Sequence, residues 1–129
     1  MYIYNLNVRG YELDSFGHVN NSVYLNYFEQ ARWEILQEMG LIDYFTENNM
    51  LLVVTEIQIR YSREVKHFDK LEVRTIIRKE APYLVFDHRM YFSGTTIKVC
   101  TCQVKSLFTD REKIKYDIPE IFIAKLKLK

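Results

Sequence analysis

Two periods divide the chain. Between residues 22 and 40 apolar residues return every three or four positions: Tyr24, Tyr27, Phe28, Ala31 and Ile35 share one face, and Leu25 and Leu36 widen it. That is the spacing of an amphipathic helix. Asn21 or Ser22 can cap its start and Gly40 stops it, with no Gly or Pro between. So broad an apolar band predicts a helix wrapped by a sheet, not one resting on a surface. After residue 50 the period falls to two. Thr55 to Tyr61 places Ile57, Ile59 and Tyr61 on one face and Glu56, Gln58 and Arg60 on the other. Leu71 to Arg78, Tyr83 to Phe92 and Ile97 to Phe108 read as three further strands. Their links, Arg63 to Asp69, Glu80-Ala81-Pro82 and Ser93-Gly94-Thr95, carry turn residues and are short enough for antiparallel hairpins. Met1 to Val8 alternates loosely as a first strand, and Arg9 to Asn21 is a polar, turn-rich loop. The tail beyond Asp110 ends in an alternating Ile121 to Leu128 segment, expected as an edge strand or a loose end. Strand, helix, then four strands predicts an α+β fold: one long helix with an antiparallel sheet of five to six strands curled around it, a single domain over 1–129.

Composition narrows the function. Of 129 residues, 48% are hydrophobic and 15% aromatic, too rich in core-formers for a disordered segment. Lys and Arg number 18 against 17 Asp and Glu, so no dense basic field marks a nucleic-acid binder. The longest apolar run, Met50 to Val54, falls far short of the roughly 20 residues that span a bilayer. The first ten residues have neither a basic nor an apolar leader region, and a cytoplasmic protein without a membrane span is the expectation. Cys100 and Cys102 fall on the same face of one strand, a poor arrangement for a disulfide and the ordinary one for reduced core cysteines. His18, His67 and His88 are scattered, so no metal site is expected. Four dispersed glycines give neither a dinucleotide fingerprint nor a P-loop, and no cofactor is implied. Ser15 and Ser22 lack the Gly-x-Ser-x-Gly elbow of a serine hydrolase.

The chemistry concentrates in Val8 to Leu36. Asp14 stands seven residues before Asn21, with Gly17 and a short polar loop between. This places a carboxylate beside a helix N-terminus, whose first N–H groups lack intrahelical partners and can stabilise a developing oxyanion. The pair is the minimum needed to hydrolyse an activated acyl group. On residue types alone, the same aspartate also fits a turn or a cap.

The segment resembles the active-site signature of the 4-hydroxybenzoyl-CoA thioesterase-like hotdog proteins, D-x-x-G-[hydrophobic or H]-V-x-N-x-x-Y followed by a Y/F-x-x-x-R helix. Here those residues are Asp14, Gly17, His18, Val19, Asn21, Tyr24, Tyr27 and Arg32. It is most similar to the bacterial and plant acyl-lipid thioesterase branch, and Phe68-Asp69 resembles the "fGD" turn, with His67 as a departure. The resemblance implies a hotdog fold and hydrolysis of an acyl thioester, with acyl-CoA or acyl-ACP as substrate. It implies Asp14 as nucleophile or general base and the Asn21 N–H as oxyanion hole. His18 and Asn20 are further catalytic candidates, though each also fits a loop-ordering or capping role. A homodimer or homotetramer, with active sites at the subunit interface, is implied too. The alternative is a non-catalytic hotdog acyl-binding module, against which the intact Asp14 argues. Tyr24 is a candidate for the acyl tunnel. Arg60 and Arg63, with Lys66, form a basic cluster expected to meet carrier phosphates, and Arg74, Arg78 and Lys79 recur on the next strand.

Overall fold

In the computed structural model, which describes residues 1–129, β1 (Tyr2–Asn7) leads through one turn of 3-10 helix (Gly10–Glu12) into α1 (Asn21–Glu38) and a short α2 (Ile42–Glu47). Four long strands follow: β2 (Met50–Tyr61), β3 (Lys70–Glu80), β4 (Tyr83–Phe92) and β5 (Lys98–Asp110). A two-residue β6 (Lys115–Tyr116) and α3 (Glu120–Lys125) complete the chain. The strands make one antiparallel sheet in the order β1-β3-β4-β5-β2, with β6 also on β5. The sheet wraps α1, as the breadth of the helix's apolar band requires. Tyr24, Tyr27, Phe28, Ala31, Ile35 and Leu36 are buried against Val73, Phe86, Met90, Cys102 and Val104 in one core. Both cysteines are buried and lie two apart on β5. No helix is long and apolar enough to cross a membrane.

Four local features depart from the sequence pattern, each for a physical reason. The cap of α1 is Asn20, not Asn21 or Ser22: its side-chain oxygen accepts the Ser22 N–H at 3.1 Å. Strand β2 starts at Met50, five residues before the visible alternation, because a bulge between Val54 and Glu56 shifts its register. The tail is helical, neither strand nor loose end. Phe122 sits fully buried against Phe108, Tyr44 and Phe45, with ring centroids 4.8, 5.2 and 5.8 Å away, and Leu126 one turn later joins the core. In the β2–β3 turn the left-handed backbone falls on Phe68, at φ 70°, and not on His67. Glycine is the ordinary occupant of such a position.

The two edges of the sheet differ. β1 is short, whereas β2 is long and open along one side. Its Val53, Val54, Ile57 and Tyr61 are 40% to 42% exposed. A long edge strand with exposed apolar residues is a template for pairing.

Candidate active site

The loop between β1 and α1 is closed by a bridge between Leu13 and Val19. Inside it the Asp14 N–H donates to the His18 carbonyl at 2.7 Å, and the Gly17 N–H to the Asp14 carbonyl at 3.1 Å. Gly17 adopts φ 80°, which a side chain would resist. The carboxylate of half-buried Asp14 is held on one side only. Oδ1 accepts the N–H groups of Phe16 (2.9 Å) and His18 (3.2 Å), while Oδ2 accepts none from the chain and is free to act on a ligand.

What fixes this loop is a charge that sequence reasoning missed. Glu12, 7% exposed, accepts the Arg9 N–H and the Tyr27 hydroxyl on Oε1, both at 2.8 Å, and the Arg9 guanidinium on Oε2 at 3.1 Å. Burial alone would raise the Glu12 carboxyl, but these bonds outweigh it and hold it below the usual carboxylate range. The Tyr27 phenol is pushed well up by burial and by Glu12. The Glu12 carbonyl accepts the Asn20 N–H at 3.0 Å, so the same residue ties the loop to the helix cap. The available signal was a polar tip, Tyr27, inside an apolar stripe, since a buried tyrosine hydroxyl needs a partner.

At the helix start the four catalytic candidates take distinct places. Asn20 spends its side-chain oxygen on the cap, accepting also the Ser22 hydroxyl at 3.0 Å. The Asn21 N–H donates to no group of the chain, and the Asn21 carbonyl accepts the Tyr61 hydroxyl at 2.9 Å. The His18 ring turns away from Asp14 to Glu64, with Nε2 3.1 Å from Oε2, and only the His18 backbone reaches Asp14. Tyr24 is 3% exposed, its ring edge-on to Tyr61 and Tyr27 at 5.1 and 6.1 Å. Burial pushes its phenol up to about 12, with Cys100, Tyr61 and the Asp14 charge acting the same way. Asp14 and the Asn21 N–H are thus the free acceptor and free donor of the loop.

The open apolar space lies elsewhere. A cavity of about 510 Å³ opens between α1, α2 and the first half of β2, lined by Trp33, Leu36, Phe45, Met50, Leu52 and Phe86 among others. Trp33 lies twelve residues along α1 from Asn21, or about 18 Å at 1.5 Å per residue. Arg32 reaches the cavity wall and donates from Nη1 to Nε2 of His88 at 3.3 Å. The other His88 nitrogen lies 2.7 Å from the Thr75 hydroxyl, and the ring stacks on Phe28 at 5.1 Å. Burial, then the Arg32 charge, lowers the His88 imidazole to about 3, so it is neutral. A neutral ring that accepts on Nε2 carries its proton on Nδ1, which therefore donates to Thr75.

The basic residues separate into two sets. Arg74 is held by Glu72 at 3.0 Å, and Arg78 by Asp87 and Glu80 at 2.8 and 2.7 Å. Arg60 and Arg63 flank Tyr61 and Ser62, exposed and without a carboxylate partner.

Comparison with known proteins places this geometry. The chain is 36% identical over 74 residues to the long-chain acyl-CoA thioesterase FadM of Escherichia coli, covering 57% of this chain and 56% of that one. It is 35% identical over 88 residues to the chloroplastic acyl-acyl carrier protein thioesterase ATL3 of Arabidopsis thaliana, covering 67% and 46%. The matched region thus spans about half the length of these relatives. The crystal structure of Slr0204, a 1,4-dihydroxy-2-naphthoyl-CoA thioesterase from Synechocystis, superposes with a TM-score of 0.90 at 15% identity over 98% of this chain and 95% of that one, a likeness of fold. The model of the thioesterase-like superfamily matches residues 8–126, all of the chain's helices and every strand but β1, and the chain belongs to that superfamily.

Proposed function

We propose that the protein hydrolyses acyl thioesters, acyl-CoA first among them, to a free acid and a thiol. The observation that carries this reading is the pairing of a free carboxylate oxygen, Asp14 Oδ2, with an unpartnered N–H at the start of α1, that of Asn21. A thioester carbonyl seated on the Asn21 N–H would place its developing negative charge at the positive end of the helix. Asp14 would then either take a proton from the attacking water or attack the carbonyl carbon itself. In the second case it expels the thiolate and leaves a mixed anhydride for water to open. Asn20 and His18 support this pair through the cap and the loop. The alkyl chain named for FadM suits the apolar cavity, which has few polar groups besides Arg32.

The reading requires a second copy of the chain. β2 runs against α1: its last residue, Tyr61, touches the start of the helix, while Met50 to Val54 line the cavity beside its second half. Antiparallel pairing of two β2 edges about a two-fold axis sets the Tyr61 end of one protomer beside the Met50 end of its partner. The acid of one copy then meets the cavity of the other, closing the gap of about 18 Å along the helix. A homodimer is the minimum functional unit in this account. Release of free thiol from a panel of acyl-CoA and acyl-ACP substrates of graded chain length tests the activity. Turnover of acyl-CoA is expected, and no thiol release from any member of the panel would overturn the reading.

A further inference from the structure

Of the charges turned into the molecule, one is unmatched. Buried Glu12 has the Arg9 guanidinium at 3.1 Å. Arg32, half-buried at the wall of the apolar cavity, forms no ion pair. Its hydrogen bond within the chain goes to Nε2 of His88, a neutral ring, at 3.3 Å. Its guanidinium carbon lies 5.9 Å from the centre of the Phe86 ring. A guanidinium offers several N–H donors, so most of those on Arg32 are unspent. Burial lowers the group from its ordinary value, yet it remains a cation at neutral pH. A cation withdrawn from water beside a neutral acceptor alone is costly until an anion joins it.

The rest of the cavity does not supply that anion. The Thr46 and Ser106 hydroxyls donate to the Asp43 and Leu84 carbonyls at 3.1 and 2.7 Å. Glu29, three residues before Arg32 on α1, borders the cavity but is exposed and pairs with no cation. The other ten lining residues are hydrophobic. A fitting anion therefore has an apolar body and one charged end. The flat fork of a guanidinium matches a carboxylate. His88, fixed by the Thr75 hydroxyl at 2.7 Å and by stacking on Phe28, holds that fork in place before a ligand arrives. We propose that the cavity binds alkyl chains ending in a carboxylate, with the carboxylate on Arg32 and the chain along the apolar wall. Two ligands have this chemistry: a free fatty acid held by its head, and an acyl thioester whose far end is a second carboxylate. The first stands apart from the hydrolase reading. The second rests on it and names the acyl group.

Trp33 is the chain's one tryptophan and lines the cavity, so its fluorescence reports occupancy without turnover. Titrations with decanoate and with decanol hold the chain constant and change the head group. Without a cation the carboxylate gives up more hydration than the alcohol and binds more weakly. The wild type is expected to bind decanoate about tenfold or more tightly than decanol. Arg32→Gln, which keeps a donor for His88, should reverse that order. Equal or weaker binding of decanoate by the wild type overturns the proposal, and this comparison needs no variant. A preference for decanoate that survives in folded Arg32→Gln overturns it as well. The ratio of kcat/KM for the CoA monothioester of decanedioic acid to that for decanoyl-CoA separates the two sources. A ratio that falls about tenfold in Arg32→Gln assigns the site to the far end of the substrate. An unchanged ratio assigns it to free acids. Hydrolysis of neither thioester, with decanoate bound as expected, keeps the carboxylate site and overturns the hydrolase reading.

Discussion

Single residues set two pH- and strain-dependent properties of the molecule. His88 titrates near 3 when folded, against about 6.5 in an unfolded chain. Between these values the unfolded state binds a proton that the folded state refuses, so stability falls as the pH drops from about 6.5 towards 3. The slope attributable to this group is at most about 1.4 kcal/mol per pH unit. Urea unfolding from pH 7 to 4 should show this loss in the wild type and a shallower one in His88→Gln. Equal slopes would remove His88 from the account. Phe68 gives a second test. It is 82% exposed at φ 70°, a conformation costing a non-glycine residue about 1–2 kcal/mol. Phe68→Gly should therefore raise the unfolding free energy by about 1 kcal/mol in denaturant titration, and a loss of stability would contradict the reading of strain. The resemblance of its local motif to a family signature made Asp14 visible, since residue type alone left a turn or a cap open. Glu12 and His88 were not visible as partners, since a polar residue reads as exposed until its bonds to Tyr27 or Arg32 are seen.

At the scale of elements, the periodicity located α1 and the five longer strands, whereas α2, β6 and the helical form of the tail were not anticipated. The misses occurred where a tertiary contact overrode the local pattern. Alternation from Ile121 to Leu128 suggested a strand, but the slot between Phe108, Tyr44 and Phe45 takes Phe122 from a helix. The bulge after Val54 hid the first five residues of β2, Met50 to Val54, and with them the strand residues that line the cavity. In the proposed dimer that edge pairs with its copy. Ile57→Lys places a charge on the apolar face of this exposed edge and should convert the proposed dimer to monomer by light scattering, with hydrolysis lost in parallel. A monomer that retains wild-type turnover would contradict a site shared between two copies.

For the whole molecule, the proposed reading gives one chain two separated halves of a site. The acid and the free helix N–H stand at one end of α1, and the apolar cavity lies beside the other. Sequence supplied the first half, because Asp14, Gly17 and Asn21 are close along the chain. It did not supply the second, because Trp33, Phe45, Met50 and Phe86 come together only through folding. The central claim is that the free oxygen of Asp14 performs the chemistry, and the most direct measurement is kcat/KM of Asp14→Asn for acyl-CoA, with the fold checked by circular dichroism. The substitution keeps the Oδ1 bonds to Phe16 and His18 available and removes the base or nucleophile. It should lower kcat/KM by at least about two orders of magnitude, whereas turnover near that of the wild type in a folded variant would contradict the account.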